Sequence, residues 1–198
     1  DLEYGEGAFR VVGTDRRVSL TELAALTPAE EREALCGLAE SNHEIQTVPH
    51  GAYVAEVEID PDTGVVRLDR LVCVDDLGVR LNPMIAEGQL HGGLAQGIGQ
   101  ALLEGAVYDE SGQLTTGTYL DYAMPRADDL PSFEVDRNVT PCPHNPLGVK
   151  GCGEAGAIGS TPAIVNAVVD ALRPLGVKDL EMPLTPQKVW AAVQNANA

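Results

Sequence analysis

The sequence predicts an α+β fold in which β-hairpins form a mixed sheet that packs against helices. Apolar and polar residues alternate over 52–59, a strong turn signal fills 60–64, and a second strand returns over 65–74. An apolar residue recurs every four positions between 85 and 106, which is typical of a helix with one buried face. No internal repeat or low-complexity linker interrupts the sequence, so we predict one domain, residues 1–198.

The N-terminal residues are predicted to form a hairpin followed by two short helices. The hairpin covers 2–12 and has a three-residue turn, Gly-Glu-Gly, at 5–7. Ser19 is predicted to cap the first helix, because Glu22 stands three residues later, as in a capping box. A second helix is predicted over 28–38. Irregular connections are predicted at 14–19, 39–50, 125–131 and 138–146.

Asn-Pro at 82–83 marks the entry to the long helix, which five glycines interrupt: Gly88, Gly92, Gly93, Gly97 and Gly99. Each glycine costs about 1 kcal/mol relative to alanine in a helix interior. Two explanations stay open for this cost. The helix packs closely on another helix through small residues, or its backbone lies against a cofactor.

The remaining C-terminal elements are predicted to be short. A hairpin is predicted over 106–116, and a strand follows at 133–136. A short edge strand is predicted at 177–182. Thr185 is predicted to cap the last helix, with Pro186 at its first position.

A glycine-rich stretch at 146–162 carries a single acid, Glu154. Thr161 is predicted to cap the following helix, with Pro162 at its first position and Pro174 ending it. Glycine lets a backbone approach a ligand closely, because it has no Cβ. The sequence therefore predicts a lone carboxylate in a glycine loop that precedes a buried helix.

Three interpretations of this loop compete. Residues 151–156 match the G-x-G-x-x-G fingerprint of a nicotinamide-binding oxidoreductase, although no convincing strand precedes them and a helix starting at Pro162 begins too late. The loop can instead be a structural turn with a solvated glutamate. In the third interpretation, Glu154 is presented to a bound substrate as a base.

The composition argues against several classes of protein. Thirty acidic residues against 13 basic ones give a formal net charge of −17, which disfavours binding to nucleic acid or to an anionic membrane. The four cysteines and four histidines lack metal-ligand spacing, so we predict no metal site made by this chain alone. We also expect no transmembrane segment and a cytoplasmic location.

Two motifs resemble those of a known family. Residues 148–159 read Gly-Val-Lys-Gly-Cys-Gly-Glu-Ala-Gly-Ala-Ile-Gly, and residues 87–100 read Glu-Gly-Gln-Leu-His-Gly-Gly-Leu-Ala-Gln-Gly-Ile-Gly-Gln. Both resemble the molybdenum-binding subunits of the xanthine dehydrogenase family, with the greatest likeness to the large subunit of aerobic carbon monoxide dehydrogenase. The likeness is most specific over 49–105 and 117–172. It implies part of the molybdopterin-binding domain of molybdenum hydroxylases.

The resemblance implies a catalytic residue and a cofactor pocket. Glu154 falls at the position of the family's active-site glutamate, which takes a proton from a molybdenum-bound hydroxyl group. For Lys150 the alternatives are a contact with a phosphate, support of the loop, or plain solvation. The implied cofactor is a molybdenum–pyranopterin of the molybdopterin cytosine dinucleotide type. The cofactor-binding positions carried over in this way are Gln89, Gln96, Gly97, Lys150, Gly151 and Gly153.

The resemblance also implies partners. In the family, an iron–sulfur small subunit carries 2Fe–2S clusters, a medium subunit carries FAD, and the heterotrimer forms a homo-oligomer. Because the family's large subunit is several times longer, we expect this chain to be a C-terminal fragment or a split half that is inactive alone and binds no cofactor tightly. The copper-binding cysteine loop of the carbon monoxide enzymes is not found, and Cys152 is not at its position. The substrate therefore stays open between carbon monoxide and a small carbonyl or N-heterocyclic compound, and a non-catalytic scaffold subunit is the alternative.

The two glycine-rich stretches are predicted to be neighbours. Residues 85–105 should place their glycine face, with Gln96 beside Gly97, next to Glu154, because both stretches need a shared neighbour to justify their glycines. We further expect an open face around Gly97, Lys150 and Glu154, where the rest of the subunit would cover the cofactor.

Overall fold

The computed structural model describes residues 1–40 and 45–196 of the chain. The chain divides into two compact units, Asp1–Asn42 and His43–Ala198, and each is described by itself. The single domain predicted over residues 1–198 stays a prediction. Of the connection predicted over 39–50, residues 41–44 lie outside the described part of the chain.

The N-terminal unit holds a small antiparallel sheet of β1 (Leu2–Gly5), β2 (Ala8–Val11) and β3 (Arg17–Ser19). Gly5 pairs directly with Ala8, so the hairpin turn has two residues and the predicted three-residue turn is wrong. Both turn residues have positive φ, 51° at Glu6 and 74° at Gly7, which matches the twist of the flanking strands. The predicted irregular connection over 14–19 is wrong at its end, because β3 pairs with β2.

Helix α1 (Leu20–Leu26) begins at the predicted capping box. The hydroxyl oxygen of Ser19 accepts a hydrogen bond from the Glu22 N–H at 3.1 Å, and the Glu22 carboxylate accepts one from the Ser19 N–H at 2.9 Å. The second short helix predicted over 28–38 is a 3₁₀ helix, Ala29–Leu35. None of its residues is buried, and a helix this short needs packing to be stable.

The second unit contains the mixed sheet, formed by β4 (His50–Ile59), β5 (Val66–Asp76) and β6 (Phe133–Arg137). β4 and β5 are antiparallel, which confirms the predicted hairpin, and a bulge interrupts their register at Glu56 and Val57. β6 pairs with β5 in parallel, with Val135 opposite Cys73. The predicted mixed sheet is therefore confirmed.

Three α-helices occur in the described part of this unit: α2 (Pro83–Leu102), α3 (Ala155–Leu172) and α4 (Pro186–Ala196). α2 starts at the predicted entry, where the side-chain oxygen of Asn82 accepts from the Ile85 N–H at 3.1 Å. α3 packs against α2 and also against β4. The core between the helices and the sheet includes the fully buried side chains Leu71, Leu94, Ile98, Ile164, Val168 and Val189.

Of two elements predicted in the C-terminal half, one is shorter than predicted and the other is wrong. The hairpin predicted over 106–116 is present as a single bridge between Tyr108 and Leu114. The edge strand predicted over 177–182 is irregular backbone. Its apolar residues Val177 and Leu180 pack against the core with a spacing of three, which a strand with alternating faces could not provide.

The start of α3 corrects the sequence prediction. The helix begins at Ala155, so Thr161 and Pro162 lie inside it and do not start it. An internal proline costs about 3 kcal/mol, and here the packing of the preceding turns outweighs it, since Gly156 and Ser160 are buried. The Thr161 hydroxyl donates to the Ala157 carbonyl at 3.0 Å instead of capping the helix.

α3 forms most of a long apolar segment. Ala155–Leu175 is long and apolar enough to cross a membrane by length and composition, a test that the core helix of a soluble protein also passes. In this unit α3 packs between α2 and the sheet, with Ile164 and Val168 fully buried. Its composition fits that buried position.

Candidate functional site

The turn before α3 and one face of α2 line a shared depression of about 400 Å³. Its lining residues are Gln96, Gln100, Gly153, Glu154, Ala157, Ile158 and Thr161. Gln96 and Glu154 come from stretches far apart in sequence, and the structure brings them to one site. The predicted proximity of the α2 glycine face and the Glu154 turn is confirmed.

The crossing of α2 and α3 explains several of the glycines. A Cβ on Gly156 would lie 2.6 Å from the Leu90 carbonyl oxygen, and a Cβ on Gly93 would lie 2.9 Å from the Ala157 nitrogen. A Cβ on Gly97 would collide with the Ser160 hydroxyl. Close helix packing, one of the two explanations left open, therefore holds for these glycines. Gly97 is buried against α3, so its predicted place on an open face is wrong.

Other glycines on α2 face open space. Gly88 and Gly92 are exposed, and among the described residues nothing lies within 4 Å of a Cβ built on either. Gly92 lies four residues before Gln96 and Gly88 lies eight residues before it, so the three share one side of the helix. Gln89 is exposed beside them and does not line the depression. Gly93 and Gly97 thus form a packing set on α2, and Gly88 and Gly92 form an open set.

The Glu154 turn is the exposed part of the site. Gly151 and Gly153 are exposed, and nothing in the described chain lies within 4 Å of a Cβ on either. Glu154 is exposed, as predicted, and is the N-cap residue of α3. No side chain of the described residues caps this helix end. Its first N–H groups therefore lack intrahelical partners and favour a nearby negative charge.

Lys150 is held away from solvent by an ion pair. Its ammonium lies 2.8 Å from the Asp76 carboxylate, and the two side chains are 8% and 11% exposed. Asp76 also accepts from the N–H groups of Gly78 at 2.9 Å and Thr140 at 3.0 Å. Lys150, together with these two N–H groups, holds the pKa of Asp76 well below its ordinary value. The solvated alternative and the open-face placement of Lys150 are wrong, and its support of the loop is the alternative that fits.

Sequence reasoning missed a second buried group beside the turn. The Tyr53 hydroxyl lies 2.9 and 2.8 Å from the two carboxylate oxygens of Asp75 and 2.9 Å from the Ala155 carbonyl oxygen. Asp75 is 3% exposed, and burial raises its pKa, against a smaller opposite effect of the Tyr53 hydrogen bond. Burial, and then the Asp75 hydrogen bond, raises the pKa of Tyr53. The available signal was the pair of acids directly after the strand predicted over 65–74.

The lining of the depression limits its chemistry. It contains one carboxylate, two glutamine amides and no cationic side chain. Among the residues that the structure describes, no group of three or more His, Cys, Asp or Glu side chains could hold a metal ion. The carboxylate can accept a proton, and the amides can donate and accept hydrogen bonds. Any further chemistry must come from a bound group.

The dinucleotide fingerprint at 151–156 lacks its usual context. α3 does begin inside the motif, which removes the objection that the helix starts too late. However, the preceding residues contribute only an isolated bridge, between Gly78 and Val149, and not a strand of a βαβ unit. The last glycine of the motif, Gly156, is buried against α2 and cannot approach a pyrophosphate.

Comparisons with known proteins identify the family of the chain. Residues 1–131 match the family model of the molybdopterin cofactor-binding domain, and the chain belongs to this family. The resemblance inferred from the motifs is confirmed. Curated relatives include the carbon monoxide dehydrogenase large chain of Hydrogenophaga pseudoflava, 37% identical over 202 residues (100% of this chain, 25% of that protein). Another is the nicotine 6-hydroxylase large subunit of Paenarthrobacter nicotinovorans, 45% identical over 145 residues (73% of this chain, 18% of that protein).

Solved structures give the same result for the fold. The chain matches the Cu,Mo-CO dehydrogenase in its carbon monoxide reduced state with a TM-score of 0.87 and 35% identity, over 100% of this chain and 25% of that one. It matches quinoline 2-oxidoreductase from Pseudomonas putida 86 with a TM-score of 0.86 and 35% identity, over 98% and 26%. The predicted fold class is confirmed. The chain spans about a quarter of the length of these relatives.

Proposed function

We propose that this chain forms part of a molybdenum hydroxylase large subunit and supplies Glu154 as its catalytic base. The observation that carries the proposal is the position of the Glu154 carboxylate, at the rim of a depression shared with Gln96 and Gln100. Family membership and the relatives' names support an oxidoreductase of the carbon monoxide dehydrogenase and xanthine dehydrogenase kind. The substrate is carbon monoxide or a small carbonyl or N-heterocyclic compound.

The residues at the site fit a molybdenum–pyranopterin of the molybdopterin cytosine dinucleotide type. The amide side chains of Gln96 and Gln100 offer donors and acceptors that match the edge of a heterocycle. The uncapped start of α3 suits an anionic group. Gly151 and Gly153 leave the turn open to close approach. When bound, this group would supply the oxidation chemistry, and the iron–sulfur and flavin subunits are the proposed electron acceptors.

Within this site, each residue of the chain has a limited task. Gln96 and Gln89 orient the cofactor from the exposed side of α2, and the backbone at Gly151 and Gly153 supports it from the turn. Gly97 and Lys150 act indirectly, through the helix crossing and through the Asp76 ion pair. For Gln96 and Gly153 the proposal is supported by their place in the lining of the depression, and for Gln89 by its exposed position on α2.

Glu154 holds and moves the proton. Its carboxylate must be ionised to accept a proton, and the start of α3 favours the negative charge. Ile158 is one turn further along α3 and adds an apolar wall to the depression. A bound substrate against this wall would exclude water from the carboxylate.

The proposed enzyme includes partners beyond this chain. Relatives are described as a large chain, a large subunit and a subunit of a complex. We infer the remainder of the large subunit, an iron–sulfur small subunit with 2Fe–2S clusters, and a medium subunit with FAD, in a cytoplasmic homo-oligomer of the heterotrimer. The isolated chain is expected to be inactive and to bind the cofactor weakly.

The test is Glu154→Gln in the assembled enzyme, with Glu110→Gln in an exposed turn as the matched control. Turnover of carbon monoxide, nicotine and quinoline is measured by dye reduction, together with the molybdenum content. A general base contributes roughly 10²–10⁴-fold, so turnover should fall at least 100-fold with molybdenum retained. Unchanged turnover with full molybdenum would reject the base and favour the scaffold alternative. Saturable quenching of NADH fluorescence by the chain would instead favour the nicotinamide-binding alternative.

A further inference from the structure

We propose that Asp75 and Asp76, at the end of β5, are positioning residues that fix the two ends of the Glu154 turn. Asp76 holds the chain before the turn through Lys150, and Asp75 holds it after the turn through Tyr53 and Ala155. We call these two sets of contacts the double anchor. Its role in catalysis rests on the proposed function of Glu154. The geometry of the anchor stands on contacts within this chain.

The anchor arises from the alternation of a β-strand. Successive side chains of a strand point to opposite faces, so two consecutive acids at its end reach two different neighbours. Asp75 and Asp76 are the last two residues of β5, and both are buried, at 3% and 8% exposed. Buried acids that are hydrogen-bonded on opposite sides can fix two segments at once.

The Asp76 side is a hydrogen-bonded junction. Besides Lys150, the Asp76 carboxylate accepts from two backbone N–H groups, those of Gly78 and Thr140. The Lys150 N–H donates to the Leu77 carbonyl at 3.1 Å, which ties the same residue to the chain after β5 a second time. Lys150 is therefore held through both its side chain and its backbone, directly before Gly151.

On the Asp75 side, the number of available hydrogens indicates which group donates each hydrogen bond. The Tyr53 hydroxyl has one hydrogen and lies within 2.9 Å of three oxygens, two on Asp75 and one on Ala155. If Asp75 is ionised, the hydroxyl can satisfy Asp75 or Ala155 but not both. If Asp75 is protonated, it donates to Tyr53, and Tyr53 donates to the Ala155 carbonyl. The second arrangement satisfies every group, and the burial of Asp75 favours it.

Two glycines leave the space that this contact needs. A Cβ on Gly51 of β4 would collide with a carboxylate oxygen of Asp75. A Cβ on Gly159 of α3 would collide with the Tyr53 ring. The sheet and the helix can therefore approach closely enough for Tyr53 to bridge from Asp75 to Ala155. Because Ala155 is covalently next to Glu154, this bridge sets the position of the proposed base.

The test removes one hydrogen bond and keeps the ring. Tyr53→Phe retains the packing against Gly159 and loses the donor to Ala155, and Tyr119→Phe at an exposed tyrosine is the matched control. Amide hydrogen exchange is followed by mass spectrometry for peptides covering 148–160, with 186–196 of α4 as an internal reference. One lost hydrogen bond should raise exchange across 151–158 roughly two- to tenfold, with α4 and the control variant unchanged.

Measurements of kcat and KM distinguish a positioning role of Tyr53 from a general role in stability. In the assembled enzyme, Tyr53→Phe should lower kcat roughly tenfold or more and leave KM and molybdenum content unchanged, because a displaced base loses its alignment. Unchanged exchange at 151–158, or an equal rise in α4, overturns the anchor. If Glu154→Gln is inactive while Tyr53→Phe is normal in kcat and exchange, the anchor alone fails. If Glu154→Gln is fully active, the proposed function fails and the anchor loses its catalytic role.

Discussion

Alanine at Gly156 and at Gly88 should change stability in opposite directions. Both glycines lie in long helices, but Gly156 faces the backbone of α2 and Gly88 faces open space. At Gly156 the added Cβ would lie 2.6 Å from the Leu90 carbonyl oxygen and 2.9 Å from the Leu94 nitrogen. Both are backbone atoms, so one helix must move to make room.

The expected magnitudes follow from these contacts. Overpacking of a well-packed interface costs about 1–3 kcal/mol, and a clash with backbone belongs at the upper end. Alanine also stabilises a helix by about 1 kcal/mol relative to glycine, which offsets part of this cost. Gly156→Ala should therefore lower the free energy of unfolding by about 2 kcal/mol. Gly88→Ala meets nothing among the described residues and should raise it by about 1 kcal/mol.

The assay is thermal and urea unfolding followed by the fluorescence of Trp190, the single tryptophan, which lies in α4 of the same unit. For 150–250 residues, 1 kcal/mol shifts Tm by roughly 2–4 °C. Gly156→Ala should then lower Tm by about 4–8 °C, and Gly88→Ala should raise it by about 2–4 °C. A stabilised Gly156→Ala, or equal losses in both variants, would refute the assignment of these glycines to a packed and an open face.

Two other predictions concern buried groups. Asp76→Asn leaves Lys150 buried and unpaired and should cost about 3 kcal/mol at pH 7. Because the pKa of Asp76 is lowered in the folded chain, its contribution is complete above its unfolded pKa of about 3.9 and is lost as pH falls below it. Urea unfolding at pH 7 and pH 3 should therefore show the cost of the variant shrinking at the lower pH; an equal cost at both would contradict this. Burial raises the pKa of Cys73 to about 11, so a thiol reagent at pH 7.5 should label exposed Cys36 first and Cys73 only on unfolding, as read by peptide mass spectrometry.

Predictions that depend on a few neighbouring residues succeeded. The capping box at Ser19 and the Asn-Pro entry to α2 are complete within four residues, so the sequence contains all of their partners. The hairpin of β4 and β5 likewise follows from alternation and from the turn between the strands. Each of these elements is determined mainly by residues close together in the sequence.

Predictions failed where distant contacts decide the outcome. Thr161 and Pro162 are good local signals for a helix start, but the fit of Gly156 and Ser160 against α2 extends the helix back to Ala155. The mixed sheet was predicted correctly, but not which strand β6 would join, because its parallel pairing with β5 connects segments that no local pattern relates. Local propensity is a weak prior in such cases.

The candidate site likewise contains residues that a local motif identifies and residues that only distant contacts identify. Glu154 could be found from the sequence, because a lone acid among glycines is a pattern within one short stretch. Tyr53 could not, since the residue it holds, Ala155, is 102 positions away along the chain. Residues that perform chemistry can be read from a motif, whereas residues that position them depend on the folded arrangement.

The glycines of α2 also indicate where the cofactor lies. An α-helix with 3.6 residues per turn separates residues 93 and 97 from residues 88 and 92 onto different faces. The first pair is explained by the crossing with α3, where a Cβ would collide. Gly88 and Gly92 have no such contact among the described residues, yet together they cost roughly 2 kcal/mol of helix stability. Glycines that destabilise a helix without a packing role are expected where a ligand must approach the backbone closely. The open face that these glycines share with Gln96, leading to the depression at Glu154, therefore supports a cofactor lying along α2.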